Sequence, residues 1–302
     1  MIRVFGHKSP DTDSTAAPIL WAWHLNGSGR EARPALLGEP NTEALFVLDR
    51  WSLERPEVIE AATGDVVVVD TNNPAELPDL ADADVIGIID HHRLVGGIET
   101  AGPIDVTIRP LACTVTVMAE MMGDERVMSA PEGVRGAALS AILSDTLEFR
   151  SPTTTPRDRD LAERLAEGLG VSIPDYAAEM FAAKSDVSAF SEAELIRMDS
   201  KEVEVGSLRF RVSVLETTSP EQILGRKDAL LDAMPKVAVE DGLNEVLLFV
   251  VDILREEAHL LLSSDLSRGV AEKSFGAKAE GDVVVLPGVM SRKKQIIPAL
   301  KA

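Results

Sequence analysis

Short aliphatic runs alternate with stretches of helical spacing through the first half of the chain. The runs are IRVF (2–5), ARPALL (32–37), DVVVVD (65–70), DVIGIID (84–90) and IDVTIR (104–109). They are nearly continuous in Val, Ile and Leu, which fits strands covered on both faces. Between the first three lie DSTAAPILWAWHL (13–25) and TEALFVLDRW (42–51), whose apolar residues recur at helical spacing. This alternation predicts an α/β fold with a mainly parallel five-stranded sheet and helices on both faces.

After Pro110 the pattern turns helical, with candidate helices at 113–123, 132–149, 156–170 and 174–184. Gly170 and Pro174 punctuate them. The small, polar stretch SDVSAFSEAE (185–194) marks a break. The last third then alternates as a hairpin around GS (203–217), followed by a helix (219–234) and strands at 245–253 and 259–264. A helix at 267–276 and a strand at 282–288 complete it. That pattern predicts a smaller α+β domain with a mixed sheet. The expected division is a first domain over 1–187, a linker over 188–194 and a second domain over 195–302.

The chemistry gathers where the predicted strands end. His7, Asp11 and Asp13 follow the first strand, in GHKSPDTDST (6–15). Asp70 ends DVVVVD. Asp90, His91 and His92 end DVIGIIDHH, and Asp145 lies late in an apolar helix, in LSDT. In an open parallel sheet, ligands bind beyond the carboxyl ends of the strands. An Asp after a strand is ordinarily a helix cap, and Asp13 alone would be read that way. Independent caps, however, would not bring His and Asp to three strand ends on one edge. Three of the chain's five His lie in these segments; His24 and His259 read as structural. Mixed His and Asp ligands suit Mn²⁺, Co²⁺ or Zn²⁺ better than Mg²⁺ or Ca²⁺. Four Asp and two His in one crevice would repel one another unless two cations neutralised them. Two metals about 3.5–4 Å apart can activate a water and clamp a phosphoryl group.

Composition narrows the partners. The net charge of −20 repels nucleic acid and anionic lipid at long range. The single cysteine, Cys113, excludes an internal disulfide. The N-terminus lacks a signal-peptide layout, and no apolar run approaches the ~20 residues of a membrane span. A cytoplasmic protein is expected. Against this acidic background SRKKQ (291–295) stands out. It is either a solvated basic turn or a phosphate clamp, since Arg offers phosphate a planar fork and Lys a compact charge.

GHKSPDTDS, VVVVDTN, IIDHHR, LSDT and GVMSRKKQ occur here in the order found in family II inorganic pyrophosphatases of the DHH phosphoesterase superfamily. The chain resembles that family from residue 2 to about residue 300. GHxxPDTDS with DHH points to the superfamily, and SRKKQ points to the pyrophosphatases within it. The resemblance implies a DHH domain followed by a DHHA2-type domain. It also implies two Mn²⁺ or Co²⁺ per subunit, with additional Mg²⁺ possible alongside the substrate, and a homodimer. His7, Asp11 and Asp70 would hold the first ion. Asp13, Asp70, His91 and Asp145 would hold the second, with Asp70 bridging. His92 would reach a substrate phosphate, and Asp90 would orient a ligand His. MDSKEV (198–203) makes Lys201 a phosphate-binding candidate beside Arg292 and Lys293. Asp11 or Asp13 could assist proton transfer. One departure stands out: many members carry His where this chain has Thr71. That puts a contact next to Asp70 in doubt.

The activity implied is hydrolysis of pyrophosphate to two phosphates by a metal-activated water, with pyrophosphate entering between the domains. A DHH phosphodiesterase or a short-chain exopolyphosphatase would share the first domain. The phosphodiesterases typically carry a GGGH-like motif that this chain lacks. A non-catalytic phosphate sensor would not need the full set of Asp and His.

Overall fold

The protein is described by a computed structural model that covers residues 1–278 and 281–301. The chain divides into two compact units, Met1–Lys184 and Ser185–Ala302. Part of the stretch read as a linker is helical: Ser191 caps a helix that begins at Glu192.

The first unit is built on six parallel strands. They are β1 (Ile2–Phe5), β2 (Ala32–Leu36), β3 (Glu57–Val58), β4 (Gly64–Val69), β5 (Ala83–Asp90) and β6 (Asp105–Ile108). The five expected strands are present. The sixth, β3, is a two-residue pairing on the edge beside β2, too short and too exposed to show a hydrophobic period. The spatial order is β3-β2-β1-β4-β5-β6. The order therefore reverses between β1 and β4, which opens a crevice beyond their carboxyl ends. Val66 to Val69 are all buried, as the unbroken Val run required.

Seven helices accompany the sheet: α1 (Thr12–Gly27), α2 (Thr42–Arg50), α3 (Thr114–Met122), α4 (Asp124–Met128), α5 (Glu132–Thr146), α6 (Pro156–Leu169) and α7 (Ile173–Lys184). Two glycines set close approaches. A Cβ on Gly6 would lie 1.9 Å from Ser14 Oγ, so only Gly lets the end of β1 meet the first turn of α1. A Cβ on Gly136 of α5 would lie 2.1 Å from the Trp51 ring. That ring is held in place: Trp51 Nε1 donates to Tyr176 Oη at 2.7 Å, and Tyr176 Oη lies 2.6 Å from Ser140 Oγ of α5. Gly136 thus sets how closely α5, which carries Asp145, packs beside α2 and α7.

The second unit holds helix α8 (Glu192–Met198) and strands β7 (Ser200–Val205) and β8 (Leu208–Thr217). Then come α9 (Pro220–Leu224), α10 (Lys227–Glu240), β9 (Glu245–Asp252) and β10 (Glu257–Leu261). Helix α11 (Asp265–Phe275), strand β11 (Val283–Pro287) and the short α12 (Ile297–Ala299) end it. The helix expected over 219–234 is split at Gly225 and extended to Glu240. The sheet order is β11-β10-β9-β8-β7, antiparallel except for the parallel pair β8 and β9. Strand β9 is buried along its whole length. Its Leu247, Phe249 and Val251 pack with Val270 and Ala271 of α11. Val246, Leu248 and Val250 pack with Leu230, Met234 and Val237 of α10. This two-residue period explains the apolar run there as a central strand. Among the described residues no helix is long and apolar enough to cross a membrane.

Gly136→Ala is expected to destabilise the protein by about 1–3 kcal/mol through overpacking. Urea unfolding measures it; an unchanged or raised midpoint would show that Trp51 can step aside.

Candidate metal centre

The centre is assembled where β1, β4 and β5 end. Leaving β1, the chain turns at Gly6, and His7 N–H donates to Ser14 Oγ at 2.8 Å. Asp11 then caps α1: its Oδ1 accepts from Ser14 N–H at 2.9 Å. The capping role considered for Asp13 thus belongs to Asp11, and Asp13 lies buried in the first turn of the helix. Asp11 serves two purposes, because its Oδ2 faces His7 Nε2 at 3.7 Å.

Asp70 stands at the middle. It is buried, and its φ of 58° lies in the left-handed region, which Asp tolerates better than most residues. Its Oδ2 is 3.4 Å from His7 Nε2, and its Oδ1 is 3.4 Å from His91 Nε2. Three groups of donor atoms result: His7, Asp11 and Asp70; Asp13, His91 and Asp145; and Asp70, His91 and His92. His91 Nε2 lies 4.0 Å from Asp13 Oδ2 and 4.0 Å from Asp145 Oδ2. The six residues singled out as ligands in the sequence therefore come together in two clusters, and Asp70 presents one oxygen to the His of each.

Neighbours fix these side chains. His91 Nδ1 lies 3.1 Å from the Leu111 carbonyl. A proton there would leave Nε2 with its lone pair toward the carboxylates. Asp90 was expected to orient a ligand His. Its Oδ1 accepts from the backbone N–H of both His91 and His92, but its ring contact is with His92 Nδ1, at 2.9 Å. Because the His91 ring turns to Leu111, Asp90 orients His92 instead. Asn72 Nδ2 donates to Asp90 Oδ2, and Asn72 Oδ1 accepts from Val95 N–H. Thr114 donates its hydroxyl to Asp70 Oδ1 at 3.0 Å and its N–H to Asp13 Oδ2 at 2.7 Å. Asn72 and Thr114 were not singled out in the sequence. Asn72 lies inside a quoted motif, whereas Thr114 is distant in sequence and carries no signal of its own. Thr71 is buried and donates to Glu76 Oε2 at 2.6 Å, so the position that departs from the family pattern has a partner.

Electrostatics follow from this crowding. Burial disfavours a charged His7, but Asp11 and Asp70 outweigh it and raise its pKa to about 10. For His91, burial is likewise outweighed, chiefly by Asp70 and Asp13, and the pKa rises to about 9. Burial also works against a charged Asp70, yet His7 and His91 hold it below the usual carboxylate range. Asp13 is pushed up to about 7 by burial and by the charge of Asp70. Burial, then Asp13 and Asp70, push Asp145 well above its ordinary value. Asp13 Oδ1 and Asp145 Oδ2 are buried without a hydrogen-bond partner. Buried carboxylate oxygens of this kind call for an ion, and mixed His and Asp donors suit Mn²⁺ or a neighbouring transition ion. The residues present fit such a metal.

Comparison with known proteins agrees with this geometry. Residues 1–144 match the DHH family, N-terminal domain, and residues 178–302 match the DHHA2 domain. A probable manganese-dependent inorganic pyrophosphatase of Deinococcus radiodurans is 41% identical over 309 residues, covering 100% of this chain and 98% of the relative. The manganese-dependent inorganic pyrophosphatase of Bacillus subtilis is 36% identical over 303 residues, covering 99% and 97%. The chain belongs to the family II, manganese-dependent inorganic pyrophosphatases. A crystal structure of a Methanococcus jannaschii protein assigned to the same family is 34% identical. It superposes with a TM-score of 0.62, covering 99% of this chain and 98% of that one.

In the second unit of this family II chain, Lys201, Arg292 and Lys293 line one cavity of about 570 Å³ with Asp199, Glu216 and Ser291. SRKKQ forms a single turn of π-helix, Arg292–Ile296, capped by Ser291. Gln295 braces it: Oε1 accepts from Met290 N–H and Ser291 N–H, both at 2.9 Å, and Nε2 donates to the Gly288 carbonyl at 2.7 Å. Sequence reasoning read the cations of this motif and missed the Gln that shapes it.

Coordination requires unprotonated His and carboxylate, whereas His7 and His91 of the metal-free protein carry protons at neutral pH. Mn²⁺ affinity is therefore expected to rise from about pH 6 to about pH 9, with protons released on binding. Titration in weak buffer checks this; pH-independent affinity without proton release would show that binding displaces no proton from His7 or His91.

Proposed function

We propose that the protein hydrolyses inorganic pyrophosphate to two phosphates with two bound Mn²⁺ or Co²⁺ ions, and with Mg²⁺ accompanying the substrate. The observation that carries this reading is Asp70, whose two oxygens face the His of two separate donor clusters. His7, Asp11 and Asp70 are the residues to hold one ion, and Asp13, Asp70, His91 and Asp145 the other. Ions bound there supply Lewis acidity, lowering the pKa of a water and offsetting phosphate charge.

The remaining work falls to side chains. His92, 54% exposed and held through Nδ1 by Asp90, keeps Nε2 for a phosphate oxygen. Lys201, Arg292 and Lys293 bind the phosphates electrostatically, as phosphoryl transfer demands of cationic side chains. Asp11 is the better proton acceptor of the two candidate Asp. It is 42% exposed, so a proton taken there can pass to solvent, whereas Asp13 is shut away with its Oδ2 held by Thr114. The reading includes a homodimer in the cytoplasm and no nucleic-acid partner, since a net charge of −20 disfavours one.

Phosphate release from pyrophosphate is expected to vanish after chelation and to return best with Mn²⁺ or Co²⁺, ahead of Mg²⁺ and Zn²⁺. Tripolyphosphate and a dinucleotide serve as controls. Lys201→Ala and Arg292→Ala should each lower kcat/KM by roughly 10- to 100-fold, the value of a charged hydrogen bond. Turnover of the dinucleotide in place of pyrophosphate, or full activity in both variants, would rule the proposal out.

A further inference from the structure

The basic cavity of the second unit contains an acid that the chemistry above does not use. Arg292 Nη2 lies 2.7 Å from Asp199 Oδ1. Asp199 follows the last residue of α8 and precedes β7, and its carbonyl accepts from Val214 N–H of β8 at 2.9 Å. Its backbone is thus tied to the sheet, while its side chain is 56% exposed. Arg292 opens the π turn that Ser291 caps and Gln295 braces. The ion pair therefore joins the basic turn to the start of the strand that carries Lys201. Lys201 and Lys293 line the same cavity, and neither has an ion-pair partner among the described residues.

Stability does not explain the pair. An ion pair with a half-exposed carboxylate contributes little, and Arg292 Nη1 is buried without a hydrogen-bond partner. An unsatisfied buried donor is costly and is expected where a ligand or ion completes the site. Orientation does explain it. The long Arg side chain carries considerable rotamer entropy, and binding improves when part of that is lost before the ligand arrives.

We infer that Asp199 is a positioning residue for pyrophosphate binding, holding one edge of the Arg292 guanidinium so that its remaining donors are aligned for a phosphate oxygen. This rests on the role proposed above for Arg292. The opposite role, a carboxylate that competes with phosphate for Arg292, has the opposite consequence: removing it would tighten substrate binding.

Steady-state kinetics of the manganese-loaded full chain separate these. Asp199→Ala should raise KM for pyrophosphate roughly tenfold with a smaller change in kcat, the cost of about one aligned charged contact. Asp199→Asn should recover part of that loss, because its amide dipole can still place an oxygen against Nη2. The double variant Asp199→Ala with Arg292→Ala should be no worse than Arg292→Ala alone. Thermal midpoints and Mn²⁺ affinity should match those of the parent, since the pair lies outside the metal centre. An unchanged or lowered KM in Asp199→Ala, or a loss that persists undiminished without Arg292, overturns the inference. If Arg292→Ala itself leaves KM and kcat unchanged, the phosphate-binding role of Arg292 fails first, and Asp199 has nothing to position.

Discussion

The first unit is organised around one buried carboxylate that faces two ways. Asp70 cannot satisfy His7 and His91 with a single oxygen, so its side chain has to lie between them. That demand reaches back to the backbone. The residue adopts a φ of 58°, a conformation that costs free energy for a non-glycine residue and persists only where the surroundings enforce it. The Thr114 hydroxyl on Oδ1 and the bond from Asp70 N–H to the Ile89 carbonyl supply that enforcement. Like charges are crowded here as well. Burial and neighbouring carboxylates push the pKa values of Asp13 and Asp145 upward, a crowding that bound cations would relieve.

The sheet makes such crowding possible. With β1 flanked by β2 on one side and β4 on the other, the segments leaving β1 and β4 diverge from neighbouring strand ends, and a crevice opens between them. His7 and Asp70 begin those segments. DHH enters from β5, next to β4, and Asp13 arrives on the first turn of α1. Asp145 is the exception, since it comes from the last turn of a helix rather than from the segment that leaves a strand. Its place depends on how closely α5 can pack, and therefore on the missing side chain of Gly136 against a Trp51 ring that Tyr176 holds still.

The second unit solves a different problem, that of presenting cations in a strongly acidic chain. Several of its arginines are engaged by carboxylates: Arg197 and Arg211 with Asp241, and Arg226 with Glu192. Among the described residues Lys201 and Lys293 are spared this, and Arg292 is engaged by Asp199 alone. The basic run is wound into a single π turn, and irregular helix of this kind recurs at functional sites. Gln295 closes the turn through its own side chain, and Ile296 anchors it in the core of the unit.

The sequence by itself determined which residues are candidates for the chemistry and roughly where the elements run. Continuous Val and Ile runs mark buried parallel strands, and a His or Asp at a strand end needs no tertiary contact to be noticed. The six candidate metal ligands and the three cations were legible for that reason, and the family resemblance supplied their proposed roles. Tertiary structure decided the rest. It showed that Asp11 rather than Asp13 is the cap, and that Asp90 holds His92 rather than His91. It also showed that Thr114 holds Asp13 and Asp70, that Asn72 holds Asp90, and that Asp199 faces Arg292. The edge strand β3 and the split between α9 and α10 were equally invisible, one too short to have a period and the other a two-residue interruption, Gly225 and Arg226, inside one helical pattern. The physical reason is common to all of these. Periodicity records which face of an element is buried, a local property. Which oxygen meets which nitrogen is set by packing between segments as far apart as Asp13 and Thr114, and no local pattern records that.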